Sequence, residues 1–186
     1  MIPERPEPAP PGVHRVRLAE PDELHLLGPI ELAAGARFDE IGFDLQAEVP
    51  VARSGRQPAV VWVAGRPPVG FAWVELLDGQ AHLEELAVLP EHGRAGLGRA
   101  LVAAVADWAA GAGFEAVTLC TYRDVPWNGP FYARCGFEVL ARRHWTPGLR
   151  QIRRAERRAG LDHHGARVVM TRRTAAPSGS TTRGGR

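Results

Sequence analysis

The segment from His82 to Val105, HLEELAVLPEHGRAGLGRALVAAV, constrains this chain more than any other stretch. Leu83, Leu86, Val88 and Leu89 form a short apolar run that Pro90 stops, and after the glycines Leu97, Leu101, Val105 and Trp108 recur at helical spacing. The pattern predicts a strand, a glycine-rich turn and a helix that starts at the turn. Unpaired amides at a helix N-terminus and the positive end of its dipole attract anions, and glycines let a ligand approach the backbone closely. A phosphate-bearing ligand is the first inference.

The 186 residues suit one domain with a single core. Residues 1–12 hold five prolines and no apolar run, and residues 174–186 are small and polar, so both are expected as disordered flanks of a domain at 13–173. No secretory signal and no membrane span is expected, which points to a cytoplasmic location and no membrane partner. Cys120 and Cys135 are too few for a disulfide framework and lack CxxC spacing, so two reduced thiols are expected. The net charge of +2 gives no case for nucleic acid, but all 23 basic residues are arginine. The absence of lysine removes a Walker-type phosphate loop and a pyridoxal Schiff base.

Along the chain, a first strand is expected near 13–18, a helix from Pro21 to about Ala34 ended by Gly35, and a short helix around Phe38, Ile41, Phe43 and Leu45. A loop follows at 50–58. Ala59–Ala64 and Val69–Leu77 read as a hairpin, and Asp78, Gly79 and Gln80 turn into the strand of the opening segment. Its helix should stop at Gly111 to Gly113. A strand at Phe114–Thr121, a short helix at Trp127–Arg134, a strand at Phe137–Ala141, a helix from Pro147 to Gly160 and a strand at Val168–Thr171 complete the order.

This order, with the later motif WNGPFYARCGF, resembles the GNAT family of acetyl-coenzyme A dependent N-acetyltransferases over roughly residues 13–173. The resemblance implies a single-domain α/β fold, a mixed and mostly antiparallel sheet of about six or seven strands with helices on both faces. The family's pyrophosphate loop, Gln/Arg-x-x-Gly-x-Gly/Ala, falls on Gly93, Arg94, Ala95, Gly96, Leu97 and Gly98; Gly93 departs from it. A Rossmann dinucleotide site is the alternative for these glycines, but Leu101 stands where its third glycine belongs, and Ala116 to Thr118 fill the window of its acidic residue. The resemblance implies acetyl-coenzyme A as co-substrate, its pantetheine arm on the backbone of Leu86, Ala87 and Val88, and its phosphates on residues 94–99, with Arg94 and Arg99 adding charge. Asn128 and Phe131 are the matching contacts in the second motif. Asn128 also reads as a plain helix N-cap.

Acetyl transfer to an amine requires that the ammonium lose a proton and the departing thiolate gain one. Tyr132 matches the family's proton donor; a phenol near 10 lies above a thiol near 8.5, a step of about 2 kcal/mol. For the base, strand alternation puts His82, Glu84, Leu86 and Val88 on one face and Glu85 on the other, with Glu84 favoured and His82 as participant or substitute. The Val88 amide is a candidate oxyanion donor if the family's strand bulge is present. Nothing resembles an acyl-carrying serine or a cysteine–histidine pair, and neither cysteine is expected near the reaction centre, so the transfer is read as direct, within a ternary complex. The acceptor, a small-molecule or peptide amine, is expected beside residues 23–58, with Glu31, Phe38 and Trp127 as contacts. A noncatalytic acyl-coenzyme A binding module is the rival reading.

Arg150, Arg153, Arg154, Arg157 and Arg158 form a basic patch, read as a solvated helix face rather than a nucleic-acid surface, since Leu149 and Ile152 define an apolar side and Glu156 interrupts the charge. Asp162, His163 and His164 are not read as a metal site. The tryptophans other than Trp127 are expected in the core. Oligomeric state stays open, a homodimer included.

Overall fold

The structure is a computed structural model that describes residues 14–43 and 57–174. Leu45, the loop up to residue 56 and the two expected flanks, Thr174 apart, lie outside these residues.

The glycine and proline signals fall where the chain turns. A short edge strand β1 (Val16–Leu18) leads into a 3-10 turn at Pro21–Leu26, where Glu20 and Glu23 form a reciprocal capping box. Only then does α-helix α1 (Leu27–Gly35) begin, so the first two turns of the expected helix are 3-10. The expected second helix is likewise a 3-10 segment, Ala36–Ile41, ended by left-handed Gly42. Strands β2 (Val60–Ala64), β3 (Gly70–Leu77) and β4 (Gln80–Val88) form an antiparallel meander. Asp78 and Gly79 join the last two with φ of 50° and 76°, the paired positive values of a tight hairpin turn.

Helix α2 (Leu97–Gly111) crosses to β5 (Ala116–Tyr122), which lies parallel to β4. Then come α3 (Gly129–Arg134), the two-residue strand β6 (Glu138–Val139), α4 (Pro147–Arg158) and β7 (Arg167–Arg173). Thr146 caps α4 through its side chain and left-handed Gly160 follows it. The seven strands lie in the order β1-β2-β3-β4-β5-β7-β6, and β4–β5 is the parallel pair.

Alternation along these strands makes two cores. Ala72, Val74, Ala81, Leu83, Val117, Leu119 and Met170 face α2, whose Leu97, Leu101, Val102 and Val105 pack on them, with Phe131 and Tyr132 of α3 on the margin. Val61, Val63, Phe71, Trp73 and Ala87 face the other way, against Leu27 and Ile30 of α1. Helix α4 joins α1 on this second face through Arg153 and Glu156, which connect to Arg167 of β7. Burying both faces is what lets a chain of this size hold a single sheet.

Candidate active site

Strands β4 and β5 part almost as soon as they meet. Their pairing covers Ala81↔Val117 and His82↔Thr118, while β4 runs on to Val88 and β5 continues to Tyr122 against β7. The Leu89 amide donates to the Val69 carbonyl at 2.9 Å, which fixes the ladder parity: residues 85 and 87 bond β3, and the amides and carbonyls of Leu86 and Val88 point toward the gap. Backbone groups of Leu86 and Val88 therefore face the gap, although the Leu86 amide is taken by Glu85 Oε1 at 3.1 Å.

The face assignment is corrected. Between Trp73↔Glu85 and Val74↔Leu83 the register shifts, and Glu84 is the extra residue of a β-bulge. Across it the side-chain alternation reverses: His82, opposite Glu75, and Glu85, opposite Trp73, lie at register positions of the α1 face, while Leu86 and Val88 pack on the α2 side. Simple alternation predicts the reverse for Glu85, because a bulge adds one residue to a period of two. The bulge also lies four positions before Val88 rather than beside it.

His82 and Glu84 do come together. The imidazole is 2% exposed, with Nδ1 2.8 Å from Thr118 Oγ1 and Nε2 3.5 Å from Glu84 Oε2. The Thr118 hydroxyl reaches the Ala81 carbonyl at 3.4 Å. A hydroxyl has one proton; given to that carbonyl, it leaves the oxygen to accept from Nδ1–H. In this arrangement the neutral ring carries its lone pair on Nε2, whereas the Glu84 carboxylate 3.5 Å from Nε2 favours the other tautomer, with Nδ1 accepting from the hydroxyl.

Tyr132 stands on the other face, its ring 5.1 Å from Phe131 and 5.7 Å from Phe137. Burial pushes its phenol up, and the negative charge of Glu85 adds to this. The Glu85 carboxylate accepts the Leu86 amide at 3.1 Å, so it bends to the gap edge that Tyr132 also feels. Sequence reasoning missed Glu85; the signal is the acidic pair Glu84–Glu85, where only the bulge decides which carboxylate goes where.

The glycine loop opens α2 as expected. A 3-10 turn at Pro90–His92 precedes it, Arg94 and Gly96 take φ of 59° and 82°, and no side chain caps the helix, which begins at Leu97. Its first amides are left to solvent or a ligand. Arg94, Ala95, Gly96 and Arg99 are exposed. A Cβ on Gly98 would stand 3.3 Å from Phe131 and 4.0 Å from Leu86, so the loop, the second motif and the β4 edge converge at this glycine. A Cβ on Gly129 would lie 2.3 Å from the Arg123 carbonyl, which holds α3 tight against the end of β5. Asn128 takes the N-cap position of α3 without capping it: its amide nitrogen donates to Thr121 Oγ1 at 2.8 Å, and its Oδ1 is buried without a partner. An acceptor left orphaned at that spot fits a ligand with an N–H.

A sequence profile of the acetyltransferase (GNAT) family matches residues 29–137. The chain belongs to this family. Solved structures agree in fold. The ribosomal-protein-S18-alanine N-acetyltransferase of Escherichia coli is similar over 90% of this chain and 97% of its own, with 18% identity and a TM-score of 0.63. A GNAT acetyltransferase from Staphylococcus aureus matches over 87% and 99%, with 14% identity and a TM-score of 0.64. The PaiA N-acetyltransferase of Thermoplasma acidophilum, solved in complex with coenzyme A, matches over 86% and 98%, with 14% identity and a TM-score of 0.62.

Within this GNAT fold the acceptor-side expectations divide. Trp127 lies under the Arg37 guanidinium (4.3 Å to the ring centroid) and beside Phe38 (5.7 Å), with its indole N–H buried and unpartnered, so Phe38 and Trp127 share one wall. Glu31 sits half-buried on α1, next to buried Ile30. A cavity of about 310 Å³, lined by Phe43, Tyr122, Asp124, Val125 and His164 among others, opens at the Tyr122 end of β5; Tyr122 shares its face with Thr118 and thus with His82. Cys120, two residues after Thr118, shares that face too. Burial, with the charge of Glu156 adding to it, pushes its thiol up and keeps it protonated, so it remains a poor nucleophile. Among the described residues no group of three His, Cys, Asp or Glu could hold a metal, and Asp162 pairs with Arg153 and Arg157. No helix among them is long and apolar enough to cross a membrane. The arginine patch is corrected at one position: Arg153 is 4% exposed and bound to Glu156 and Asp162. Trp145 leaves the expected core as well, its N–H on the Leu140 carbonyl at 2.9 Å and its ring near Arg142.

Proposed function

We propose that this protein transfers an acetyl group from acetyl-coenzyme A to a primary amine of a small molecule or peptide, by direct attack. The observation that carries this reading is the open edge of β4, flanked by the His82–Thr118 pair on one sheet face and Tyr132 on the other. The uncapped start of α2 with Arg94 and Arg99 suits the phosphates, the Leu86 and Val88 edge the pantetheine amides, and Asn128 Oδ1 a further N–H. The co-substrate supplies the activated acyl group and a thiolate leaving group.

The chain's own residues then handle two protons. In the tautomer with the Nδ1 proton on Thr118, His82 Nε2 takes the proton of the incoming ammonium, and Glu84 stabilises the imidazolium so formed. This exchanges the roles given to the two residues from sequence, because Glu84 is the bulge residue and His82 carries the oriented ring. Tyr132 gives a proton to the departing sulfur from the opposite face, and the second proton that the nitrogen loses on becoming an amide restores the phenol. Its raised pKa keeps it fully protonated, and the apolar surroundings that raise it also make an unprotonated thiolate costly. The amine's apolar portion fits the cavity beside Phe43, Tyr122 and Val125.

Thiol release from acetyl-coenzyme A over a broad amine panel tests the reading. An acceptor should emerge, and Tyr132→Phe should lower kcat more than coenzyme A affinity. Tight coenzyme A binding with no turnover on any amine would support the noncatalytic module instead.

A further inference from the structure

Five arginines and one tryptophan, Arg142, Arg150, Arg153, Arg154, Arg157 and Trp145, enclose a cavity of about 60 Å³ at α4. A space of this size suits one compact polar group. Among the described residues, Asp162 pairs with Arg153 and Arg157, and Glu156 is shared between Arg153 and Arg167. Five guanidinium groups thus face two carboxylates, one of them divided with a cation outside the cavity. Arg150 is held by its Nε on the Trp145 carbonyl at 3.1 Å, which fixes the stem and leaves its terminal nitrogens to the cavity side, and the Arg142 guanidinium stands 5.9 Å from the Trp145 ring centroid. Arginine forks match tetrahedral and planar oxyanions, and the surplus of positive charge favours a dianion over a single carboxylate.

We propose that this cavity is a binding site for a small-molecule phosphate monoester, separate from the acetyl-transfer cleft. The separation follows from the fold: the Gly148 amide donates to Asp78 Oδ2 at 2.8 Å, which places the start of α4 at the β3–β4 turn. The glycine loop lies beyond the far end of β4, and nine residues at ~3.3 Å each put the start of α4 about 30 Å from it; the later turns of α4 run toward Tyr122, whose hydroxyl donates to the Leu161 carbonyl, yet the arginine cavity shares no lining residue with the Tyr122 cavity.

The test uses the full chain saturated with coenzyme A, so that its own phosphates occupy the other site, titrated with inorganic phosphate, phenyl phosphate and acetate by calorimetry. Both phosphates should bind saturably in the millimolar range or tighter, acetate at least about tenfold more weakly, and R150Q/R154Q should weaken phosphate at least about tenfold with coenzyme A affinity unchanged. These two arginines are exposed, so their replacement leaves the buried Arg153 network intact. The proposal is overturned by phosphate binding that the variant does not alter, by acetate binding as well as phosphate, or by no saturable phosphate binding. Capture of a short RNA with steep salt dependence, without phosphate binding, would also overturn it in favour of a diffuse basic face. None of these outcomes depends on whether the cleft transfers an acetyl group.

Discussion

Thr118→Val is the sharpest probe of the site. The substitution keeps the shape of the side chain and deletes the hydroxyl that lies 2.8 Å from His82 Nδ1, in a place where His82 is 2% and Thr118 8% exposed. No water replaces that partner cheaply, so the buried imidazole N–H loses a hydrogen bond at a cost of about 2 kcal/mol. For a chain of this length that corresponds to a fall in Tm of about 4–8 °C. The chemical effect is separate. Without Thr118 the ring gains more by placing its proton on Nε2, toward Glu84 Oε2 at 3.5 Å, than on Nδ1, and the lone pair then points away from the acceptor. A bias of about 1.4 kcal/mol between tautomers is tenfold in the competent form, so kcat should fall about tenfold while coenzyme A affinity holds. Thr118→Ser retains the hydroxyl and should recover most of both losses. The assay is thiol release with the best amine of the panel, beside a thermal melt. Full kcat in a Thr118→Val protein whose Tm has fallen would remove His82 as the proton acceptor. An unchanged Tm would mean that the hydroxyl and the ring are not bonded at all.

Three further outcomes are expected. Gly96→Val meets no atom within 4 Å of its Cβ but is strained at φ 82°, so it should lower the Tm, and in the variant that remains folded calorimetry should find coenzyme A binding abolished because a branched side chain stands over the start of α2; wild-type affinity in a folded variant would refute the loop assignment. Gly129→Ala forces a Cβ to 2.3 Å from the Arg123 carbonyl and should cost about 3 kcal/mol in a denaturant titration, a loss that Gly111→Ala, with open space around it, should not show. The Arg17 hydrogen bonds hold the Glu23 carboxyl at about 2, below its usual value near 4.5. A depressed folded-state pKa gives stability that is present above about pH 4.5 and lost as the pH falls toward 2. Solvent screening limits this to about 1 kcal/mol, and Glu23→Gln should flatten that part of the urea-midpoint profile.

Much of the architecture was legible because punctuation and period are local. Asp78-Gly79 demands a tight hairpin turn, Gly113 and Gly160 end helices in left-handed conformations, and Leu97, Leu101 and Val105 mark the buried face of α2 without knowledge of what covers it. The 3-10 character of Pro21–Leu26 was not legible, since the same capping residues open either helix type. Nor was Arg153: its neighbours in sequence are solvated arginines, and only the approach of Glu156 and Asp162 makes burial of that one tolerable.

The glycine loop, the Asn128–Phe137 motif and the absence of lysine are properties of the sequence by itself, and they determined the family resemblance, the candidate phosphate cradle and the list of residues able to move protons. The tertiary structure decided which of those residues meet. A strand has a side-chain period of two only while its register is unbroken, and the extra residue at Glu84 is invisible until β3 lies alongside. That one insertion puts Leu86 and Val88 on the α2 side and Glu85 on the other, while the β4–β5 pairing gives His82 Thr118, a residue 36 positions away, as its orienting partner. Residues set the available chemistry locally, whereas the direction of a proton transfer depends on contacts between strands that the sequence does not place side by side.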